Sequence, residues 1–251
     1  MTLEIKGYTY SEKVAFGRQL AELILQKYGK KTLAVLIWGP GAVDDPDWNY
    51  PCLDILVVVR NGVKASSKEY VYRGLPVSVG YWKETSLLQS CKEVGPSWPW
   101  WAVWYRKRFV LYERDNWLRN LEAAISENDK ADSTKAIRAA AWGITRTLAN
   151  LKNQNSRVIS ADLIWQCLDL ADDAQKLVYL KERRYPEHFL WSDSMEMQTQ
   201  PPRFRSFTNF VEGVNPEFKE GLKKETERIC EEILTIARAS GVSFESNTLQ
   251  V

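Results

Sequence analysis

The sequence has a single histidine and four cysteines that lie far apart along the chain. No two cysteines have the C-x-x-C spacing of a zinc ribbon or a redox motif, and His188 is the only imidazole that could join them. This pattern excludes a zinc ribbon. It favours the reduced, mostly buried thiols of an intracellular protein, at Cys52, Cys91, Cys167 and Cys230.

The sequence also lacks a long hydrophobic run and a strong excess of charge of either sign. No stretch approaches the ~20 apolar residues that span a bilayer, and the first residues contain no apolar signal core. We therefore expect a cytoplasmic protein without a membrane partner. A net charge of +2 is too small to indicate a nucleic-acid-binding surface, so a nucleic-acid partner is not expected.

The first half of the chain alternates helical and strand patterns. Ser11 is predicted to cap a helix over residues 11–28, which Gly29 ends. The other predicted elements are strands at 32–38 and 52–59, a hairpin of 69–73 with 77–82, a helix at 83–94, a strand at 109–114 and a helix capped by Asp115.

Strand patterns disappear after about residue 131. The later predicted elements are a helix over 133–154 with Ser133 as its cap, a helix over 160–185, a polar loop or partly disordered stretch over 192–205, and a helix over 215–240. The sequence therefore predicts a mixed α/β domain over residues 1–120 and an all-α helical bundle domain over residues 121–251.

One acidic residue stands out in the segment WGPGAVDDPDWNYPCLDILVVVR, which covers residues 38–60. Asp54 begins a strand whose following residues are all apolar. An ionised carboxylate buried against an apolar sheet is costly unless a partner or a cation compensates its charge. Asp54 therefore has a partner, binds a cation, or is the remnant of a site that did so.

The order strand, glycine turn, loop and acid-headed strand resembles the nucleotidyltransferase fold of the polymerase-β superfamily, and in particular the kanamycin-nucleotidyltransferase type. Trp38-Gly39-Pro40 and the segment 52–58 carry the resemblance, and eleven residues separate them. The resemblance is specific only over residues 37–82. It implies a mixed sheet, Mg²⁺ as cofactor, a nucleoside triphosphate as ligand and a homodimer. It further implies Asp54 as catalytic residue and metal ligand, with Gly39 and Gly41 at the phosphates.

The sequence departs from the family pattern at most of its chemical positions. The first acid of the family falls on Cys52 and the third falls on Ser78, while Pro40 replaces a residue that carries a hydroxyl group. The segment 136–152 lacks the glutamate base of the kanamycin type. One carboxylate binds Mg²⁺ weakly, and a soft thiol does not replace a hard oxygen ligand.

We therefore predict a nucleotidyltransferase-family protein whose catalysis is impaired and which binds a nucleoside triphosphate or a partner through the cleft near Asp54. One alternative is an active enzyme that uses Mg²⁺ to move a nucleoside monophosphate to a hydroxyl group of a small molecule or a protein. A second alternative is a non-enzymatic dimerisation or interaction scaffold. Two of the three expected metal carboxylates are missing, so the sequence leaves open whether the protein is an enzyme.

Overall fold

The computed structural model describes residues 5–44, 50–153, 173, 175–183, 185, 245–246 and 248–251. Five α-helices, two short 3-10 turns and six strands have assigned bounds in these residues. In chain order they are α1 Tyr10–Tyr28, the 3-10 turn Gly29–Lys31, β1 Thr32–Trp38, the 3-10 turn Gly39–Ala42, β2 Leu53–Val59, β3 Lys68–Tyr72, β4 Leu75–Lys83, α2 Glu84–Lys92, α3 Trp98–Arg106, β5 Arg108–Glu113, α4 Leu118–Lys130, α5 Thr134–Asn153 and β6 Glu245–Ser246.

The strands form one mixed sheet in the order β5-β1-β2-β4-β3-β6. Strand β2 runs antiparallel to β1 and parallel to β4, and β3 and β4 form an antiparallel hairpin. Arg73 and Gly74 form the hairpin turn, both with positive φ, as two-residue hairpin turns require. The predictions of a mixed α/β fold and of this hairpin are confirmed.

Apolar side chains cover both faces of the sheet. Alternate residues of β2, such as Ile55 and Val57, pack toward Leu20 and Ile24 of α1. The intervening residues of β2 pack on the other face, in a cluster that α2, α3 and α4 complete. The described part of the chain is therefore a sheet between two helical layers, which gives strand β2 its uninterrupted apolar sequence.

Helix α1 begins earlier than the predicted Ser11 cap. Thr9 is the N-cap, and its side-chain oxygen accepts the backbone N–H of Glu12 at 3.3 Å. The Glu12 carboxylate in return accepts the backbone N–H of Thr9 at 2.8 Å. This reciprocal capping box satisfies two N–H groups that a single Ser11 side chain would leave open, so the prediction of Ser11 as cap is wrong.

The predicted cap at Asp115 is also wrong. Asp115 and Asn116 both have positive φ, and α4 starts only at Leu118. The Glu113 carboxylate accepts the backbone N–H of Leu118 at 2.9 Å, so an acid at the end of β5 replaces Asp115 in this role.

At the next helix, α5 begins directly after Ser133, and Asp132 Oδ1 accepts the N–H of Thr134 at 2.9 Å.

The sequence prediction missed helix α3, WPWWAVWYR. Aromatic residues have modest helix propensity, and its interior gives no clear polar face. Pro99 lies in the first turn, where the missing N–H costs nothing. Trp98 and Tyr105 are buried in the core, whereas Trp101 is exposed, so the helix is held by packing.

The predicted helices of the second half are described only in part. Residues 173 and 175–182, inside the predicted helix 160–185, are helical, whereas the predicted segments 192–205 and 215–240 lie outside the described residues. Helix α4 packs in one cluster with α2 and the sheet. The division into domains at residues 120 and 121 stays a prediction. Over the described part of the chain, no helix has the length and apolarity needed to cross a membrane.

Candidate functional site

Three polar residues lie side by side across three neighbouring strands. In the parallel pair of β2 and β4, Asp54 is the partner of Ser78. In the hairpin of β3 and β4, Ser78 is the partner of Glu69. Partner residues on adjacent strands point to the same face of a sheet, so Asp54, Ser78 and Glu69 form a row on one face.

This row lines a cavity of about 320 Å³. Its described lining contains both carboxylates but no Lys or Arg side chain and no residue from α2, α3 or α4. The lining residues are Ile5, Cys52, Asp54, Glu69, Tyr70, Val71, Pro76, Val77 and Ser78. The cavity therefore combines apolar walls with two acidic groups, an arrangement typical of small ligand or cation sites.

The Asp54 side chain is buried, with 9% of the residue exposed. The Tyr50 hydroxyl donates a hydrogen bond to its carboxylate, but the Oδ2 atom is buried and has no hydrogen-bond partner. Burial raises the pKa of Asp54 above its ordinary value, the nearby charge of Glu69 adds to this increase, and the Tyr50 hydrogen bond opposes it. The protein thus holds an incompletely satisfied carboxyl group at the edge of a cavity.

The raised pKa of Asp54 gives a stability prediction. Between the ordinary pKa of 3.8 and the higher pKa of the folded state, the unfolded chain loses its proton first, so stability falls as pH rises. Asp54→Asn keeps an acceptor for Tyr50 but removes the buried charge. We expect this variant to be more stable than the wild type by about 1 kcal/mol or more at neutral pH.

The measurement is the free energy of unfolding in urea across this pH range. Well below pH 3.8 the advantage of Asp54→Asn should vanish, because Asp54 is then protonated in both the folded and the unfolded state. A variant less stable than the wild type at neutral pH would show that the folded protein stabilises the ionised carboxylate.

Cys52 lies two residues before Asp54, where the resemblance implies the first acid. Its thiol lines the same cavity, and burial together with the Asp54 charge raises its pKa. A thiol that keeps its proton is a poor metal ligand, so Cys52 does not replace a carboxylate.

Lys13 anchors the loop that precedes the site. The side chain of Lys13 is buried, and its Nζ donates to the backbone carbonyl of Tyr50 at 2.6 Å. Burial lowers the pKa of Lys13, while the nearby groups of Cys52 and Asp44 oppose this decrease. The sequence analysis did not single out Lys13. Its contribution here is to fix the backbone of Tyr50, whose hydroxyl contacts Asp54.

The glycine turn after β1 is packed into the protein. Gly39 has φ of +70°, and a side chain there would enter the ring of Trp104. Its backbone N–H donates to the carbonyl of Lys107 at 2.8 Å, so that N–H is already used. Gly41 is also buried and lies against the Tyr50 ring. The predicted contact of Gly39 and Gly41 with phosphates stays a prediction.

The side chains at the site fit a divalent cation only in part. Among the described residues, no cluster of three or more His, Cys, Asp or Glu side chains is arranged to hold a metal ion. Asp54 and Glu69 supply two hard oxygen ligands, and Asp54 Oδ2 is buried without a partner. Mg²⁺ commonly uses one or two carboxylates and takes its other ligands from water and phosphates. The two carboxylates therefore fit a Mg²⁺ ion that arrives with a phosphate ligand.

Glu69 is the site residue that the sequence analysis missed. A two-residue turn at Arg73 and Gly74 pairs Tyr72 with Leu75 and, three steps further along the hairpin, Glu69 with Ser78. The hairpin was predicted, so its register was the signal that could have identified Glu69.

Comparison with solved structures finds chains of similar fold. A nucleotidyltransferase-like protein from Exiguobacterium sibiricum 255-15 superposes with a TM-score of 0.46 at 16% sequence identity, over 75% of this chain and 70% of that chain. No protein-family model and no curated protein matches the sequence. The structural similarity is too low to assign a family or a function.

Proposed function

We propose that this chain is a nucleotidyltransferase-like protein that binds a nucleoside triphosphate with Mg²⁺ at the Asp54 cavity and transfers nucleotides poorly or not at all. The observation that carries the proposal is the row of Asp54, Ser78 and Glu69 along the lining of one cavity. The sequence resemblance implied that Ser78 occupies the position of the third acid, and the pairing of Ser78 with Asp54 on adjacent strands supports this assignment.

Electrostatics make the cation essential to such binding. A triphosphate carries several negative charges, and the described lining of the cavity offers two carboxylates and no Lys or Arg. Without a cation, phosphate oxygens and carboxylates repel each other. When bound, Mg²⁺ would supply charge neutralisation and orientation of the phosphates. Nucleotide binding here should therefore depend strictly on a divalent cation.

Three features support impaired transfer. Ser78 stands where the resemblance implies a carboxylate, the Cys52 thiol stands at another acid position, and the Gly39 N–H is bonded to Lys107. In-line nucleotidyl transfer needs metal ions that stabilise both the attacking and the leaving oxygen. A cavity with two carboxylates can position one phosphate group but lacks the ligands for this complete arrangement.

Calorimetric titration with ATP and GTP tests the proposal. We expect binding in the presence of Mg²⁺ and an affinity lower by about tenfold or more when EDTA replaces it. In the presence of Mg²⁺, the Asp54→Asn variant should bind nucleotide with the same low affinity as the wild type shows in EDTA. Binding that is equal in Mg²⁺ and EDTA, or absent in both, would contradict the proposal.

A transfer assay separates the proposal from its active alternative. Pyrophosphate release from ATP with Mg²⁺ should stay at the level of the Asp54→Asn variant, even under conditions where calorimetry shows that the wild type is saturated. Release well above that level would overturn the impairment and favour an active nucleotidyltransferase.

A further inference from the structure

We propose that Glu69 on β3 replaces the carboxylate missing at Ser78 and, together with Asp54, forms a two-carboxylate site for one divalent cation. This inference rests on the proposed function for the nucleotide that brings the cation, but the cation site itself can be measured separately. No acid on β3 belongs to the pattern that the sequence resembles, so the assignment comes from strand register alone.

The strand register places the two carboxylates so that one ion could lie between them. Asp54 and Glu69 are two strands apart, which corresponds to about 10 Å between their backbones. Ser78 lies between them on β4, and this residue with its short side chain lines the same cavity. A glutamate side chain is one methylene longer than that of aspartate, which gives Glu69 the longer reach.

The environment of Asp54 points to a positively charged ligand. Asp54 is nine-tenths buried and lines the cavity. Its Oδ2 atom has no hydrogen-bond partner. Within the described part of the chain, neither Asp54 nor Glu69 forms a salt bridge with a Lys or Arg side chain. A buried carboxylate oxygen next to a second acid needs a compensating charge, and a divalent cation supplies it.

The number of carboxylates also indicates how strongly the site should bind. No third His, Cys, Asp or Glu joins the pair among the described residues. Two carboxylates leave most positions of an octahedral ion to water or to phosphate oxygens. The cation should therefore bind weakly alone and more tightly together with a triphosphate.

Mn²⁺ is the probe of choice, because it accepts the same hard oxygen ligands as Mg²⁺ and its free form is measured by electron paramagnetic resonance. The protein is titrated with Mn²⁺ above neutral pH without nucleotide. We expect saturable binding of one ion, and a loss of about tenfold or more in affinity for Glu69→Gln.

Two further variants control this experiment. Glu22→Gln removes one negative charge from the exposed face of α1 and should leave Mn²⁺ affinity unchanged. Glu69→Asp keeps the carboxylate but shortens its reach, and should bind between the wild type and Glu69→Gln. Since Glu69 is exposed, these variants should unfold at the temperature of the wild type.

Equal Mn²⁺ affinity in the wild type and Glu69→Gln would overturn the inference, as would absence of Mn²⁺ binding by the wild type. The nucleotide proposal fails on a different result, namely a wild type that binds Mn²⁺ in a Glu69-dependent manner but binds neither ATP nor GTP. The two failures are therefore distinguishable.

Discussion

Replacement of Gly39 by alanine is expected to lower the free energy of unfolding by roughly 2–5 kcal/mol. Gly39 has φ of +70°, a conformation that costs an L-residue about 1–2 kcal/mol. In addition, a Cβ atom there would lie 2.3 Å from a ring carbon of Trp104. The ring cannot yield easily, because Trp104 also contacts Trp38 at 5.1 Å between ring centroids.

Gly62 provides the matched control. It has φ of +85°, but a Cβ there meets nothing within 4 Å. Gly62→Ala should therefore show only the conformational cost, and the difference between the two variants in urea unfolding isolates the contact with Trp104. If Gly39→Ala were no more destabilising than Gly62→Ala, the turn or the Trp104 ring would be able to move apart without cost, contrary to this account.

Replacement of Ser78 by aspartate is expected to make folding stability depend on divalent cations. The new carboxylate would lie between Asp54 and Glu69, in a cavity whose described lining contains no Lys or Arg. Repulsion and desolvation should lower the free energy of unfolding by about 1–3 kcal/mol in EDTA. Mn²⁺ at one hundred times its dissociation constant should stabilise the folded variant by about 2.7 kcal/mol relative to EDTA, which offsets most or all of this loss.

Ser78→Asn is the control, because asparagine has nearly the same shape as aspartate but no charge. We expect Mn²⁺ to raise the free energy of unfolding of Ser78→Asn no more than it raises that of the wild type, and less than it raises that of Ser78→Asp. A Ser78→Asp protein that Mn²⁺ stabilises no more than Ser78→Asn would show that residue 78 does not face a cation site.

Much of the sheet can be derived from the sequence because its patterns are local. Strand β1 occupies the predicted residues 32–38, and β2 begins one residue after its predicted start. Ser78 lies beside Asp54 in the parallel pair of β2 and β4, a pairing that the sequence analysis did not predict. The Thr9 capping box was also readable, since glutamate follows at the third helical position, but Ser11 offered a competing hydroxyl nearby.

The parts that could not be predicted depend on contacts between distant segments. Helix α3 is held by aromatic packing rather than by a polar and an apolar face. The hydrogen bond from Gly39 to Lys107 joins residues far apart in sequence. The same holds for Tyr50, whose hydroxyl contacts Asp54 and whose backbone carbonyl accepts a hydrogen bond from Lys13. The helix and strand periodicity of apolar residues does not indicate such contacts between distant segments.

The most direct test of the central claim is an anomalous difference map from a crystal soaked in Mn²⁺. The account predicts a single peak above Ser78, between the carboxylates of Asp54 and Glu69, and the loss of that peak in a Glu69→Gln crystal. A peak that contacts Asp54 but not Glu69, or no peak at this cavity, would contradict the two-carboxylate cation site.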